Sequence, residues 1–313
     1  MRRFSVALIV GLAAITAPLF AQQGTAPFTI AETGQGFARL DQAVAAIGNG
    51  EGTIVIAPGT YRQCAVQERG AIAFRAAEPG TAIFDRTACE GKATLVLRGE
   101  GALVDGLVFQ NISVPDANGA GIRLERGNLD VYNSMFRDSE QGILAGDDPS
   151  STIRIDRSTF SGLGRCGGDY SCAHSIYIGH YGGLEVTHSR FERGTGGHYV
   201  KSRAANITVT ASSFDDTQGR ETNYMIDLPA GARGVIADNE FVQGANKENY
   251  SAFVAVAAEA RDNSSAGLTI RNNRAAIAPG IDRNTFFVAD WSGEQLQMAS
   301  NQLGRGISPF DRR

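Results

Sequence analysis

Apolar and polar positions alternate with period two in short runs that return along most of the chain. One set of runs closes on Phe or Leu: GLVFQN (106–111), YNSMF (132–136), DRSTF (156–160), THSRF (187–191), TASSF (210–214), DNEF (238–241) and SNQL (300–303). Its phenylalanines, Phe109, Phe136, Phe160, Phe191, Phe214 and Phe241, recur every 23 to 31 residues. A second set reads GIRLE (121–125), GILAG (142–146), SIYIG (175–179), YVKSR (199–203), MIDLP (225–229), FVAVA (253–257) and FVADW (287–291). Alternation predicts strands. A strand repeat of this length predicts a solenoid, because no unit can bury its apolar side without its neighbours. Strands of one set then run parallel, since the chain passes once round between them. After about Ser264 the regularity weakens, and Ala275 stands where a Phe is due.

The chain before the repeats reads differently. Phe37, Leu40, Val44 and Ile47 mark one face of a short helix, which Gly48, Gly50 and Gly52 stop. Thr53–Tyr61 follows as a strand and a turn, and the helix is suited to cover the open apolar end of the first coil. Residues 1–21 read as a secretory signal: Arg2 and Arg3, an apolar run from Val6 to Phe20, and a cut after Ala21. That run is short for a membrane span.

Composition adds limits. Glycine is abundant, 38 of 313 residues, and falls between the runs where a coil turns. Formal net charge is −4, becoming −6 when Arg2 and Arg3 leave with the leader. Nucleic acid is therefore excluded as a partner on bulk charge, while locally gathered cations still allow an anionic one. Four cysteines behind an export signal predict two disulfides among Cys64, Cys89, Cys166 and Cys172. Three pairings exist. The neighbour-to-neighbour one, Cys64–Cys89 with Cys166–Cys172, would link adjacent coils and close a glycine-rich loop.

The opening GFARLDQAV…GTIVIAPGTYR (36–62) and the repeats resemble right-handed parallel β-helix proteins of the pectin-lyase-like superfamily. The resemblance covers most of residues 28–304. It implies an all-β, single-domain solenoid with a short N-terminal capping helix: a signal peptide at 1–21 and a domain over 22–313, with the cap at about 28–52 and coils at about 53–304. The superfamily includes lyases, hydrolases, epimerases and non-catalytic proteins, so the fold does not choose the activity.

Aligning the second set on Ile122, Ile143, Ile176, Val200, Ile226, Val254 and Val288 as inward residues makes the next residue outward. That column reads Arg123, Leu144, Tyr177, Lys201, Asp227, Ala255 and Ala289. With coils about 4.8 Å apart, Tyr177, Lys201 and Asp227 form a ladder open to water, with Arg203 facing the same way. His174, His180 and His198 gather nearby. Tyr170, Tyr181, Tyr199 and Tyr224 add rings suited to sugar stacking. Locally, HYVKSRAANITVTASSF…YMIDLPAGARGVIADNEF (198–241) is similar to the alginate lyase and chondroitin B lyase family. That similarity implies Lys201 as the base with Ser202 as its companion. The family's catalytic Arg would come one coil later, where this chain has Asp227.

Elimination from a uronic acid needs a cation on the carboxylate, a base for the adjacent proton and an acid for the leaving oxygen. Lys201 suits the base if its pKa is depressed. Arg203 suits the carboxylate, Tyr177 or His198 the acid, and Asp227 the orientation of Lys201. His174, His180, Tyr199 and Tyr224 are candidate substrate-binding residues. A hydrolase would need a carboxylate pair, for which Asp227 has Asp215, Asp216 and Glu221 as candidate partners. An epimerase or a non-catalytic glycan-binding or envelope protein are the other readings. No cofactor is expected. Calcium at Asp147-Asp148 lacks a visible set of six or more oxygen ligands, and zinc on the three histidines has no supporting spacing. The expected protein is a periplasmic or secreted monomer with an acidic polysaccharide as its partner.

Overall fold

The computed structural model describes residues 26–167 and 171–313. The leader assigned to 1–21 and the ring of Tyr170 lie outside the described residues. The chain forms a right-handed β-solenoid with three walls, not the two that the strand patterns suggested. The first sheet has 12 strands, the second and third 10 each. The Phe-closing runs build the second sheet and the other runs the third. The extra first wall comprises strands such as Gly101–Asp105, Asn128–Tyr132 and Tyr181–Thr187. In the sequence these run almost directly into the second-wall strands, which hid the bend between them. Successive strands of each wall pair in parallel, apart from the antiparallel Phe28–Ile30 and Gly36–Phe37 at the first edge.

That bend has its own repeating chemistry. Asn133, Arg157, His188, Ala211, Asp238, Asn272 and Ser300 each adopt a left-handed conformation, with φ between 47° and 58°. The residue after each is Ser or Asn, and its side chain accepts the backbone N–H of the equivalent residue one coil earlier. Ser134 N donates to Ser158 Oγ at 3.2 Å, Ser158 N to Ser189 Oγ at 3.2 Å, Ser189 N to Ser212 Oγ at 3.0 Å and Ser212 N to Asn239 Oδ1 at 2.9 Å. Buried N–H groups that the turn would leave unpaired are thereby satisfied.

Phe84, Phe109, Phe136, Phe160, Phe191, Phe214 and Phe241 stack along the interior with centroids 4.8–5.7 Å apart. At the start, Tyr61 and Phe28 continue the column. At the far end Ala275 pairs with Phe241, and Phe253 and Phe287 from the third wall turn edge-on to Phe241 in the space a Phe would have filled. The helix runs Leu40–Ile47, so Phe37 belongs to an edge strand and not to the helix. The helix buries Leu40, Ala43 and Val44 at the end of the stack. The solenoid also continues past residue 304, because Ile307–Arg312 adds a last third-wall strand.

Both disulfides follow the neighbour pairing, Cys64–Cys89 and Cys166–Cys172. The first joins the coil of Ala65–Gln67 to the next one. Among the described residues, no helix is long and apolar enough to cross a membrane.

Phe160 has a stacked ring on each side at 4.8–4.9 Å and no exposure. Phe160→Ala should cost about 3–5 kcal/mol of unfolding free energy, read from the urea midpoint. A shift below about 1 kcal/mol would show that the column does not hold the coils together.

Candidate functional site

The third wall carries the chemistry because its register aligns unlike residues at equal height. Arg123 pairs with Leu144, Leu144 with Tyr177, Tyr177 with Lys201, Lys201 with Asp227, and Asp227 with Ala255. The inward partners Ile122, Ile143, Ile176, Val200, Ile226, Val254 and Val288 have no exposure. The ladder expected from alternation is therefore present, side by side on one face.

It is not open to water along its length. Residues 257–263 fold back over it, with Glu259 N and Ala260 N donating to Pro229 O at 3.0 and 2.8 Å, and Asn263 N to Ala230 O at 2.9 Å. Under this cover Asp227 is 3 % and Lys201 8 % exposed. What remains is a cleft of about 490 Å³, lined among others by Lys92, Arg123, Tyr177, Lys201, Arg203 and Glu259.

Lys201 Nζ donates to Glu259 Oε1 at 2.6 Å and lies 3.3 Å from Asp227 Oδ2. Arg203 donates from Nη2 to the other oxygen of Glu259, and from Nε to the Tyr177 hydroxyl at 3.1 Å. Lys201 Nζ also stands 5.6 Å from the centre of the Tyr177 ring. Glu259 was not singled out from the sequence. It follows a wall strand in an irregular turn, where periodicity assigns no direction to a side chain.

Charge balance corrects one expectation. Burial works against a charge on Lys201, but Asp227 and Glu259 outweigh it and raise its pKa above the ordinary lysine value. Lys201 is thus protonated as it stands, not depressed into a ready base. Burial pushes Asp227 up to about 6 despite Lys201 beside it. Burial also works against ionisation of Glu259, yet hydrogen bonds from Lys201 and Arg203 bring its pKa below the usual range. Asp227 Oδ1 is buried without a hydrogen-bond partner, as a group awaiting water or a bound hydroxyl would be.

Behind the ladder, His174, His198 and Tyr224 occupy equivalent places on successive coils and stack, with centroids 4.9 and 5.6 Å apart. His198 N donates to His174 Nδ1 at 3.0 Å, which leaves the proton of neutral His174 on Nε2. Burial holds His174 well below its usual pKa, and burial with Lys201 nearby holds His198 down at about 3. His198 Nε2 lies 3.4 Å from Asp227 Oδ2. His174 reaches the cleft; His198 and Tyr224 are not part of its lining.

Other candidates fall elsewhere. Tyr199 is 1 % exposed and belongs to the core, because the chain bends just before Val200 and turns the ring inward. Its hydroxyl donates to Asp216 Oδ1 at 2.7 Å. Asp216 is itself buried against Lys247 Nζ at 3.1 Å, so it cannot face Asp227 across a sugar. Asp215 ends a second-wall strand. Tyr181 is likewise buried. His180 lies at a corner, with Nδ1 3.2 Å from Asp147 and Nε2 3.5 Å from Asp262, outside the cleft lining. Asp148 accepts from Ser150, Ser151 and Gly127 N and serves its own turn. Among the described residues no three His, Cys, Asp or Glu side chains converge as a metal site.

Fold and cleft together define a parallel β-solenoid with a charged groove along one wall. The chain belongs to the family described as "Right handed beta helix region", which matches residues 120–303. No curated protein matches the sequence. Among solved structures, ORF18 of Geobacillus virus E2 is similar at 13 % identity and a TM-score of 0.56, over 87 % of this chain. This chain spans 55 % of that viral protein's length. An alginate lyase from Paenibacillus sp. str. FPU-7 is similar at 16 % identity and a TM-score of 0.52, over 87 % of this chain and 94 % of that one. At such identities the likeness is one of fold.

A neutral buried His198 makes acid destabilising. The unfolded chain takes up a proton near the ordinary histidine pKa of about 6.5, and the folded chain only near 3. Stability from this group is therefore lost as pH falls from about 6.5 toward 3. Asp227, with its pKa raised, acts in the opposite sense between about 4 and 6. His198→Gln should flatten the acid limb of stability against pH, measured by urea unfolding. An unchanged limb would mean that this imidazole accepts a proton in the folded state.

Proposed function

We propose that this protein binds an acidic polysaccharide along its third wall and cleaves it by β-elimination at the rung of Lys201. The observation that carries this reading is the carboxylate of Glu259, whose two oxygens are held separately by Lys201 and Arg203 at the cleft. A guanidinium that can hold a carboxylate, with an amine beside it, is what elimination from a uronate needs: the first makes the neighbouring C–H acidic and the second can take its proton. Glu259 stands where that substrate carboxylate would lie. The fold likeness to an alginate lyase agrees with this reading, as do the two disulfides with an exported protein.

In the reaction, the uronate carboxylate displaces Glu259 and rests on Arg203. Lys201 loses one of the two anions that keep it charged. It passes a proton to Asp227, 3.3 Å away and with its carboxyl raised to about 6, then takes the proton next to the uronate carboxylate. The electron pair of that C–H bond forms the new double bond as the glycosidic C–O bond breaks. Tyr177 has its oxygen engaged by Arg203, and its own proton goes to the leaving oxygen.

Alginate, polygalacturonate and chondroitin sulfate should be incubated with the protein and followed for unsaturated product by ultraviolet absorbance. Absorbance should rise with one of them, and Lys201→Ala should reduce the rate at least about a hundred-fold. Shortening without absorbance would assign hydrolysis instead. Binding without shortening would assign a glycan-binding role. Glu259→Gln should strengthen apparent substrate affinity by up to about five-fold, the worth of an exposed ion pair. Weaker affinity in that variant would overturn the carboxylate stand-in.

A further inference from the structure

The cleft does not end at the Lys201 rung. It continues over Tyr177 and Leu144 to Arg123, with Lys92, Asp116 and Asn118 also in its lining. Arg123 is three rungs from Lys201, about 14 Å along the solenoid axis at the ordinary strand spacing. Its Nε is buried without a hydrogen-bond partner, and among the described residues no carboxylate lies within ion-pair distance of it. The neighbouring cations differ: Lys92 is held by Glu90 and Glu125, and Lys201 by Asp227 and Glu259. Between Arg123 and Lys201 the floor is apolar. Leu144 and the Tyr177 ring form it, and Leu144 packs with Ala120 and with Ala93 and Val96 of the coil before Arg123.

A buried guanidinium N–H without an acceptor is costly unless something fills it. A floor of Leu144 and the Tyr177 ring between two cationic points suits a chain of sugar rings lying face down with its acidic groups at intervals. A pyranose ring with its glycosidic oxygen is similar in length to one rung.

We infer that Arg123 is a second carboxylate-binding point, which holds a uronate on the order of three sugar units from the one held at Lys201 and Arg203. This rests on the uronate reading of the cleft and extends it: the protein recognises a run of several acidic sugars, not a terminal one or two. The role of Arg123 is to bind and position the chain, through the fork geometry that carboxylates favour.

The probes are dimers and hexamers of mannuronate, guluronate and galacturonate, with binding measured by calorimetry on the full chain. Wild-type protein should bind one kind of hexamer more tightly than its dimer. Arg123→Gln should weaken that hexamer about ten- to hundred-fold and leave the dimer unchanged, with Arg123→Lys in between and melting temperatures alike. If Arg123→Gln binds the hexamer as wild type does, the second point is wrong while the uronate reading stands. If wild type binds none of the hexamers, both are wrong.

Discussion

Everything in this molecule depends on parallel backbone pairing that advances by one coil without slipping register. Each wall strand meets its neighbour at equivalent residues, so a side chain's place on one coil dictates what lies above and below it. Inside, this makes a column of rings at nearly the spacing of the strands. At the bend it makes a column of Ser and Asn acceptors. Outside, on the third wall, it aligns Arg123, Leu144, Tyr177, Lys201 and Asp227 on a rigid support. A one-residue slip would turn all five inward.

The same ionic chemistry serves two ends in this fold, and burial distinguishes them. Lys247 and Asp216 have no exposed side-chain surface. Thr222 and Tyr199 complete the set around Asp216, so nothing outside the core can compete for either charge. Lys201 and Asp227 are nearly as buried, but Glu259 is 46 % exposed and makes its contacts from solvent. An anion arriving from solution can therefore exchange with Glu259 at modest cost. That contrast leaves the cleft with one carboxylate that meets solvent while its cation partner stays buried.

Glu259 also explains why local sequence features misjudge the lysine. A Lys beside an Asp on an outward face reads as a base waiting to be tuned downward. A second carboxylate, brought in from 58 residues further along, sets the direction of the shift upward. Asp227, deeper and with one oxygen unpartnered, takes the perturbation that the sequence would have placed on Lys201.

Alternation and the spacing of the phenylalanines were enough to establish a solenoid, its parallel strands and which residues share a face, because both periods are local properties of the chain. The outward column from Arg123 to Ala289 was legible for the same reason. The first wall was not, since a bend at a single left-handed residue leaves little trace between two strands that both alternate. The fate of Tyr199 was hidden too: it stands beside a wall residue, but at a corner where alternation no longer fixes direction. Above all, the sequence could not say that residues 257–263 cover the ladder, or that Glu259 reaches Lys201 and Arg203. Those are contacts between distant segments, decided by how an irregular turn packs, and only the folded coil brings their charges together.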